Sequence, residues 1–346
     1  MRDTDLIFLL GAGASKEAGI KITSEMISEI ETNLLESDWG KYKKLYYYIK
    51  SSILYAKGLK GKYDSFVNIE DFMVVLTELL KKEENTVYPF ISNWNYKLIE
   101  LAGKDFENID NFEREIREQL IEVWINIKDY SKASYFRKFK DLQSELLQRP
   151  LKIFSLNYDM CIEQSIGNKD LIELGFDENK EWNSNRFIDL QDTDKIVHLY
   201  KLHGSIDWHV INGMCKKCDV PTKDCSIIFG EKMKLQPIDP YFFMASELRK
   251  YLSDANILVS IGYSFGDDYI NKMIKQAISN NSNLFILDVS NVKDDNSKQN
   301  RMRYIIECVG IKPDNINIVP KTAKEFMETE LIKENFDKII NRNNEF

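Results

Sequence analysis

Glycine, amide, imidazole and carboxylate groups recur in this chain where an apolar run stops. Gly11, Ala12, Gly13 and Ser15, with Gly19 and Ile20 beyond them, follow the run Leu6–Leu10. Glycine lets a backbone approach closely enough for its N–H groups, and the positive end of a following helix, to face a pyrophosphate. Asn157 and Asp159 follow the run 151–156, at the carboxyl end of a buried strand, where open α/β sheets keep their ligands. His203 and Gly204 close the run 195–202, where the backbone turns and an imidazole can reach a cleft and act as a general base. Gly262 and Ser264 make a second glycine turn, and Asp288 ends another apolar run, where ribose-binding carboxylates sit in such folds. If these ends share one sheet edge, they form a single nucleotide cleft containing one histidine.

Each of these residues also has a plainer use. The first loop is spaced G-x-G-x(5)-G and departs from the dinucleotide fingerprint G-x-G-x-x-G, so it can be a purely structural turn. Asn157 and Asp159 are ordinary helix N-caps, as is Asn68 before Glu70 and Asp71. His198 lies mid-strand, where a histidine is more often a satisfied core or face residue than a base. Cys215 and Cys218 form a CxxC knuckle with Cys225 nearby; a tetrahedral zinc needs a fourth ligand, which His209, Asp219 or Asp224 would have to supply. The alternative is plain thiols.

The elements that must position these groups follow from periodicity. Apolar runs at 6–10, 151–156, 257–261, 284–288 and 316–319 read as buried strands. Helical spacing follows at 20–34, 270–277, 297–308 and from about 323. Strands alternating with helices of this length predict an α/β fold, a doubly wound, mostly parallel Rossmann-like sheet. Between 41 and 150 only helix patterns occur, with faces at 72–80, 112–127 and 136–147. The expected organisation is therefore 1–40 with 151–340 as the sheet domain, 41–150 as a large helical insertion, and 209–230 as a small Cys-containing segment.

Composition narrows the function classes. The chain has 346 residues, 43% hydrophobic and 29% charged, enough for a sizeable core. A net charge of −8 argues against direct nucleic-acid binding, which needs a basic surface to displace phosphate counterions. No apolar run reaches the ~18 residues of a membrane span. Arg2, Asp3 and Asp5 before the first strand are unlike a signal peptide, and five cysteines in a chain this long are unlike a secreted disulfide framework. A cytoplasmic, membrane-free protein is expected.

Four ordered motifs carry a family resemblance. Gly11 to Ser15 followed by Gly19-Ile20 resembles the GAG-x-S-x-x-x-G-I loop of the sirtuin superfamily. Ser155-Leu156-Asn157-Tyr158-Asp159 resembles its T-x-N-x-D strand end, His203-Gly204 its catalytic His-Gly, and Gly262-Tyr263-Ser264 its later G-x-S turn. The resemblance covers about 1–30 and 150–320 and points to the divergent bacterial branch active in antiphage defence. Sirtuin deacylases continue Gly-Ile with Pro-Asp-Phe-Arg, whereas this chain has Lys21-Ile22-Thr23-Ser24. The resemblance thus implies NAD as substrate, cleaved at the nicotinamide–ribose bond to deplete the cell in an abortive infection, with protein deacylation ranked last. It assigns Asn157, His203 and Asp159 to catalysis. Gly11, Ala12, Gly13, Ser15, Gly19, Gly204, Gly262, Ser264 and Asp288 are assigned to NAD. It further implies a homo-oligomer triggered by a partner such as a HerA-type ATPase, an Argonaute-like protein or a phage component. A non-catalytic subunit binding NAD or ADP-ribose is the alternative.

Overall fold

Leu6–Leu10 is apolar at every position and buried throughout, as a central strand covered on both faces requires. The structure, a computed structural model, describes residues 5–61, 66–84, 95–146, 150–167, 171–187, 195–221, 225 and 239–344. They group into two compact units, Met1–Ile20 with Asn126–Phe346, and Lys21–Ile125.

The first unit is built on β1 (Leu6–Leu10), β2 (Leu151–Ser155), β3 (Ile172–Glu173), β4 (Val197–Lys201), β5 (Trp208–Ile211), β6 (Met214–Lys217), β7 (Ile257–Ile261), β8 (Phe285–Val289) and β9 (Ile316–Val319). Seven of them form one sheet in the order β3-β4-β2-β1-β7-β8-β9, and every pairing in it is parallel. Apart from the short edge strand β3, the spatial order is third, second, first, fourth, fifth, sixth in chain sequence. This is the doubly wound, Rossmann-like arrangement, whose strand order reverses at β1 and leaves a crevice outside the carboxyl ends. The sheet meets the α/β expectation. The β5–β6 hairpin is separate and antiparallel, turning on Asn212 and Gly213, both at positive φ. Helix Tyr241–Asp254, which the sequence reading did not anticipate, packs Met244, Leu248 and Leu252 into the same core as Leu9, Phe154 and Tyr200.

Within β4, His198 sits beside Lys152 of β2, with Nδ1 3.2 Å from the ammonium. Burial, then the charges of Lys152 and Lys195, push its pKa down to about 3. The unfolded imidazole titrates near 6.5, so between those values the unfolded chain binds a proton that the folded chain refuses. This contribution to stability is whole above about pH 6.5 and is lost as pH falls toward 3. His198→Gln is expected to flatten the acid limb of stability, read as urea midpoints between pH 7.5 and 4.5; an unchanged slope would refute the assignment.

The second unit is helical, with Thr23–Glu36, Lys43–Leu59, Ile69–Leu80 and Glu107–Gln119 as its longest helices. Tyr46, Phe72 and Phe112 form its aromatic centre, with Phe72 5.0 Å from Tyr46 and 5.9 Å from Phe112 between ring centroids. Asn68 caps Ile69–Leu80, accepting from the Asp71 N–H at 2.7 Å. Among the described residues no helix is long and apolar enough to cross a membrane.

Candidate functional site at the carboxyl edge of the sheet

The loops after β1 and β7 interlock through their glycines. Gly11 N–H donates to Ile261 O, and Gly13 N–H to Gly262 O, each at 3.0 Å. A Cβ on Gly11 would lie 2.5 Å from Tyr263 Cα, and one on Gly262 2.3 Å from Ala14 N and from Gly13 C. Gly262 also holds φ +63, a left-handed conformation that side chains disfavour. These N–H groups therefore join two loops at the strand-order switch, a different use from the phosphate donors expected of them. The chain then runs through a 3-10 helix, Ala12–Ala18, and ends it on Gly19 at φ +101; the long helix begins only at Thr23. Gly262→Ala is expected to cost roughly 2–5 kcal/mol through backbone overlap and left-handed strain, read as a lowered thermal midpoint. A midpoint equal to the parent's would show that the two loops can separate at no expense.

Asn157 crosses from the end of β2 to the first loop. Its Nδ2 donates to Gly11 O at 2.9 Å and to Ser15 Oγ at 3.2 Å, while its N–H donates to Ser155 Oγ. Ser15 is buried, and the adjacent Ala14 carbonyl accepts from Tyr135 Oη at 2.7 Å. Asp159 Oδ1 accepts from Cys161 N–H at 2.9 Å in a local turn, while Met160 holds the cap position of the short helix Cys161–Ser165; Oδ2 is buried with no hydrogen-bond partner. Asp159 thus serves a turn just before the helix rather than the N-cap expected of it, with one oxygen to spare.

His203 lies just past β4, 3% exposed. Its Nε2 stands 3.3 Å from Oδ2 of Asp267, and its ring is 6.3 Å from that of Tyr158. Asp267 is the N-cap of helix Asp268–Asn280, with Oδ1 accepting from Tyr269 and Ile270 N–H. Below the turn, the Lys201 ammonium is fully enclosed. It donates to Glu163 Oε1 at 2.9 Å, Ser205 Oγ at 2.8 Å, Tyr158 O at 3.4 Å and Asp159 O. Burial opposes the Lys201 charge, but Glu163, Asp207 and Asp159 outweigh it and hold its pKa above the usual lysine range. Asp207 is 3.5 Å from Lys217 Nζ, though neither carboxylate oxygen makes a hydrogen bond. One buried cation thus ties the Asn157 loop to the His203 loop. Sequence reasoning assigned no role to Lys201, Glu163 or Asp267. The signal was present for Lys201, because a lysine ending a buried parallel strand needs a partner.

Asp288 is fully buried and both oxygens are engaged: Oδ2 accepts from Arg301 Nε and Ser290 Oγ at 2.9 Å, Oδ1 from Arg301 Nη2 at 3.0 Å. Arg301 also donates to the carbonyls of Tyr263 and Ser264, fastening the second glycine turn. In this arrangement Asp288 anchors an arginine, where a ribose-binding carboxylate was expected. Ser264 itself turns inward on its loop, Oγ accepting from Gly266 N–H at 3.2 Å.

The cysteine segment does not assemble a metal site among the described residues: no three His, Cys, Asp or Glu side chains gather there. Cys215 is buried on β6, and burial with the nearby Asp207 charge pushes its thiol up to about 12. Asp219 is taken by Lys180 at 2.6 Å. Asp224 and residues 226–230 lie outside the described residues.

The four strand ends are therefore joined: Gly13 to Gly262, Asn157 to Gly11 and Ser15, Ile206 N–H to Tyr158 O, and His203 to Asp267. A family profile described as SIR2-like domain matches residues 151–309. The matched segment is somewhat under half of the chain. It includes Asn157, Asp159, His203, Gly262, Ser264 and Asp288, while the first glycine loop precedes it. Among solved structures, the chain is similar to a Sir2 homologue in complex with NAD, at 11% identity over 96% of this chain and 90% of that one, with a TM-score of 0.46. A Sir2 homologue bound to 2′-O-acetyl ADP-ribose is also similar, at 11% identity, covering 96% of this chain and 92% of that one, TM-score 0.43. No curated protein sequence matches the chain.

Proposed function

We propose that the SIR2-like unit is an NAD hydrolase that cleaves the nicotinamide–ribose bond, releasing nicotinamide and ADP-ribose. The observation that carries this reading is the joining of the Asn157 and His203 loops at the carboxyl edge of a doubly wound sheet, within and beside a SIR2-like domain. In the reaction, oxocarbenium character develops on C1′ of the ribose, and the bonding pair of the glycosidic bond passes to the pyridinium nitrogen, so nicotinamide leaves neutral. Water attacks C1′, and its proton passes to His203 as base. Asn157, with no protein partner for Oδ1 among the described residues, is placed to hydrogen-bond the ribose or that water. Asp159 orients this loop through its bond from Cys161 N–H. The loop from Gly11 through Ala12 and Gly13 to Ser15, with Gly19 closing it, borders the pyrophosphate. Gly204 lies beside the ribose, and Gly262 and Ser264 stand nearer the adenosine, with Asp288 supporting them through Arg301.

Deacylation ranks below this because the segment after Gly19-Ile20 is spent on helix capping. Ile22 N–H donates to Glu25 Oε2 at 3.0 Å and Lys21 pairs with Glu29 at 2.6 Å. A second reading, an NAD-binding subunit without turnover of its own, is favoured by the depth at which His203 lies. We also assign the chain to antiphage defence, acting as a homo-oligomer with a triggering partner. Purified protein, alone and with its genomic neighbours, should release nicotinamide from NAD, and native mass measurement should show an oligomer. Saturable NAD binding without nicotinamide release in any mixture would support the second reading instead, and acyl transfer from an acyl-lysine peptide in step with NAD loss would support deacylation.

A further inference from the structure

We propose that Asp267 is the positioning carboxylate of His203: it accepts from Nε2–H, fixes the imidazole tautomer, and leaves Nδ1 as the nitrogen that accepts a proton. The inference deepens the preceding reading and rests on it for the identity of the base. An ionised carboxylate only accepts hydrogen bonds, so the form of His203 that matches Oδ2 of Asp267, 3.3 Å from Nε2, is the one with hydrogen on Nε2. Nδ1 is then the free lone pair, and it is buried without a hydrogen-bond partner. A buried acceptor left without a donor is destabilising. A substrate hydroxyl or water arriving at Nδ1 would supply the missing donor. Among the described residues the ring stands beside Asp267, from the turn before Asp268–Asn280, and Tyr158, from the loop after β2. Lys201, on the strand leading to His203, is occupied with Glu163 and Ser205.

Asp267 holds the ring rigidly because its other oxygen is committed. Oδ1 accepts from Tyr269 N–H at 3.0 Å and from Ile270 N–H at 3.2 Å, so the carboxylate cannot rotate away from His203 without uncapping the helix. The catalytic loop after β4 and the glycine turn after β7 are thereby coupled through one side chain that touches the base and not the substrate.

Asp267→Asn separates this role from capping, because asparagine caps helices as well as aspartate does. With the amide oxygen kept at the cap, its NH2 faces Nε2 and donates, forcing the proton onto Nδ1 and blocking the base. Histidine side-chain nitrogen resonances of the full chain report the tautomer directly, and only His198, His203 and His209 need assignment. The expected result is an Nε2–H tautomer for His203 in the parent and an Nδ1–H tautomer in Asp267→Asn, at an unchanged thermal midpoint. Turnover of NAD should fall by about 10²–10⁴-fold in kcat with KM within about threefold. An Nδ1–H tautomer in the parent, or a variant with parental tautomer and kcat, would overturn the proposal. If the parent cleaves no NAD, the hydrolase reading fails while the tautomer measurement still decides the role of Asp267.

Discussion

His203→Ala is expected to lower NAD turnover by about 10²–10⁴-fold, the usual contribution of a positioned general base. Asn157→Ala should lower it comparably by a different route. Its amide spans Gly11 O and Ser15 Oγ, so truncation both removes a ribose or water contact and frees the first glycine loop from the second strand end. The two variants should therefore part in their kinetic signatures. His203→Ala lowers kcat and leaves KM near the parent's, because a base acts in the transition state; Asn157→Ala also raises KM, because the loop beside the pyrophosphate loses its tether. Nicotinamide release against NAD concentration measures both. Parental turnover in both variants would remove these residues from the chemistry. Losses of the same form in each would mean that the loop and the base act as one unit.

Lys201→Met is expected to destabilise the fold by about 3–5 kcal/mol, because removing one member of a buried ion pair leaves the other charged and unpaired. Lys201 and Glu163 are 1% and 5% exposed, so water cannot step in for the lost ammonium. The damage extends past the pair, since the same ammonium bonds Ser205 Oγ and the carbonyls of Tyr158 and Asp159. Lys201→Met combined with Glu163→Leu should recover much of the stability, as apolar replacement of a whole buried pair is often neutral. It should not recover turnover, because the bridge between the Asn157 and His203 loops stays absent. Urea midpoints and nicotinamide release, measured on the same preparations, separate the two effects. A single variant as stable as the parent would show that the carboxylates around Lys201 already share a proton.

Much of the sheet was legible because buried parallel strands are short, apolar and separated by helices. The runs at 6–10, 257–261 and 316–319 coincide with β1, β7 and β9, and helix 268–280 contains the apolar face read at 270–277. Helix Tyr241–Asp254 went unread although Met244, Leu248 and Leu252 recur at the four-residue spacing of a buried helix face. The short strand β3 and the β5–β6 hairpin escaped too, since two to four mixed residues carry no usable period.

The site divides along the same line. Residue types and their placement at strand ends determined that Gly11, Asn157, His203 and Gly262 belong to one edge, because a parallel sheet sends every strand's carboxyl end the same way. What each residue does there was decided by contacts between distant segments, 146 positions apart for Asn157 and Gly11 and farther for Gly13 and Gly262. Glycine spacing shows that a backbone must come close to something. Only the packed loops show that Gly11 and Gly13 approach Gly262 and Tyr263. A carboxylate at a strand end shows that charge is needed there, and only the folded chain reveals Arg301 clamped on Asp288, Lys201 enclosed by Glu163, and Asp267 against His203. Local sequence determines where a side chain starts. The partner that satisfies its buried charge comes from another strand or helix, so tertiary structure alone decides it.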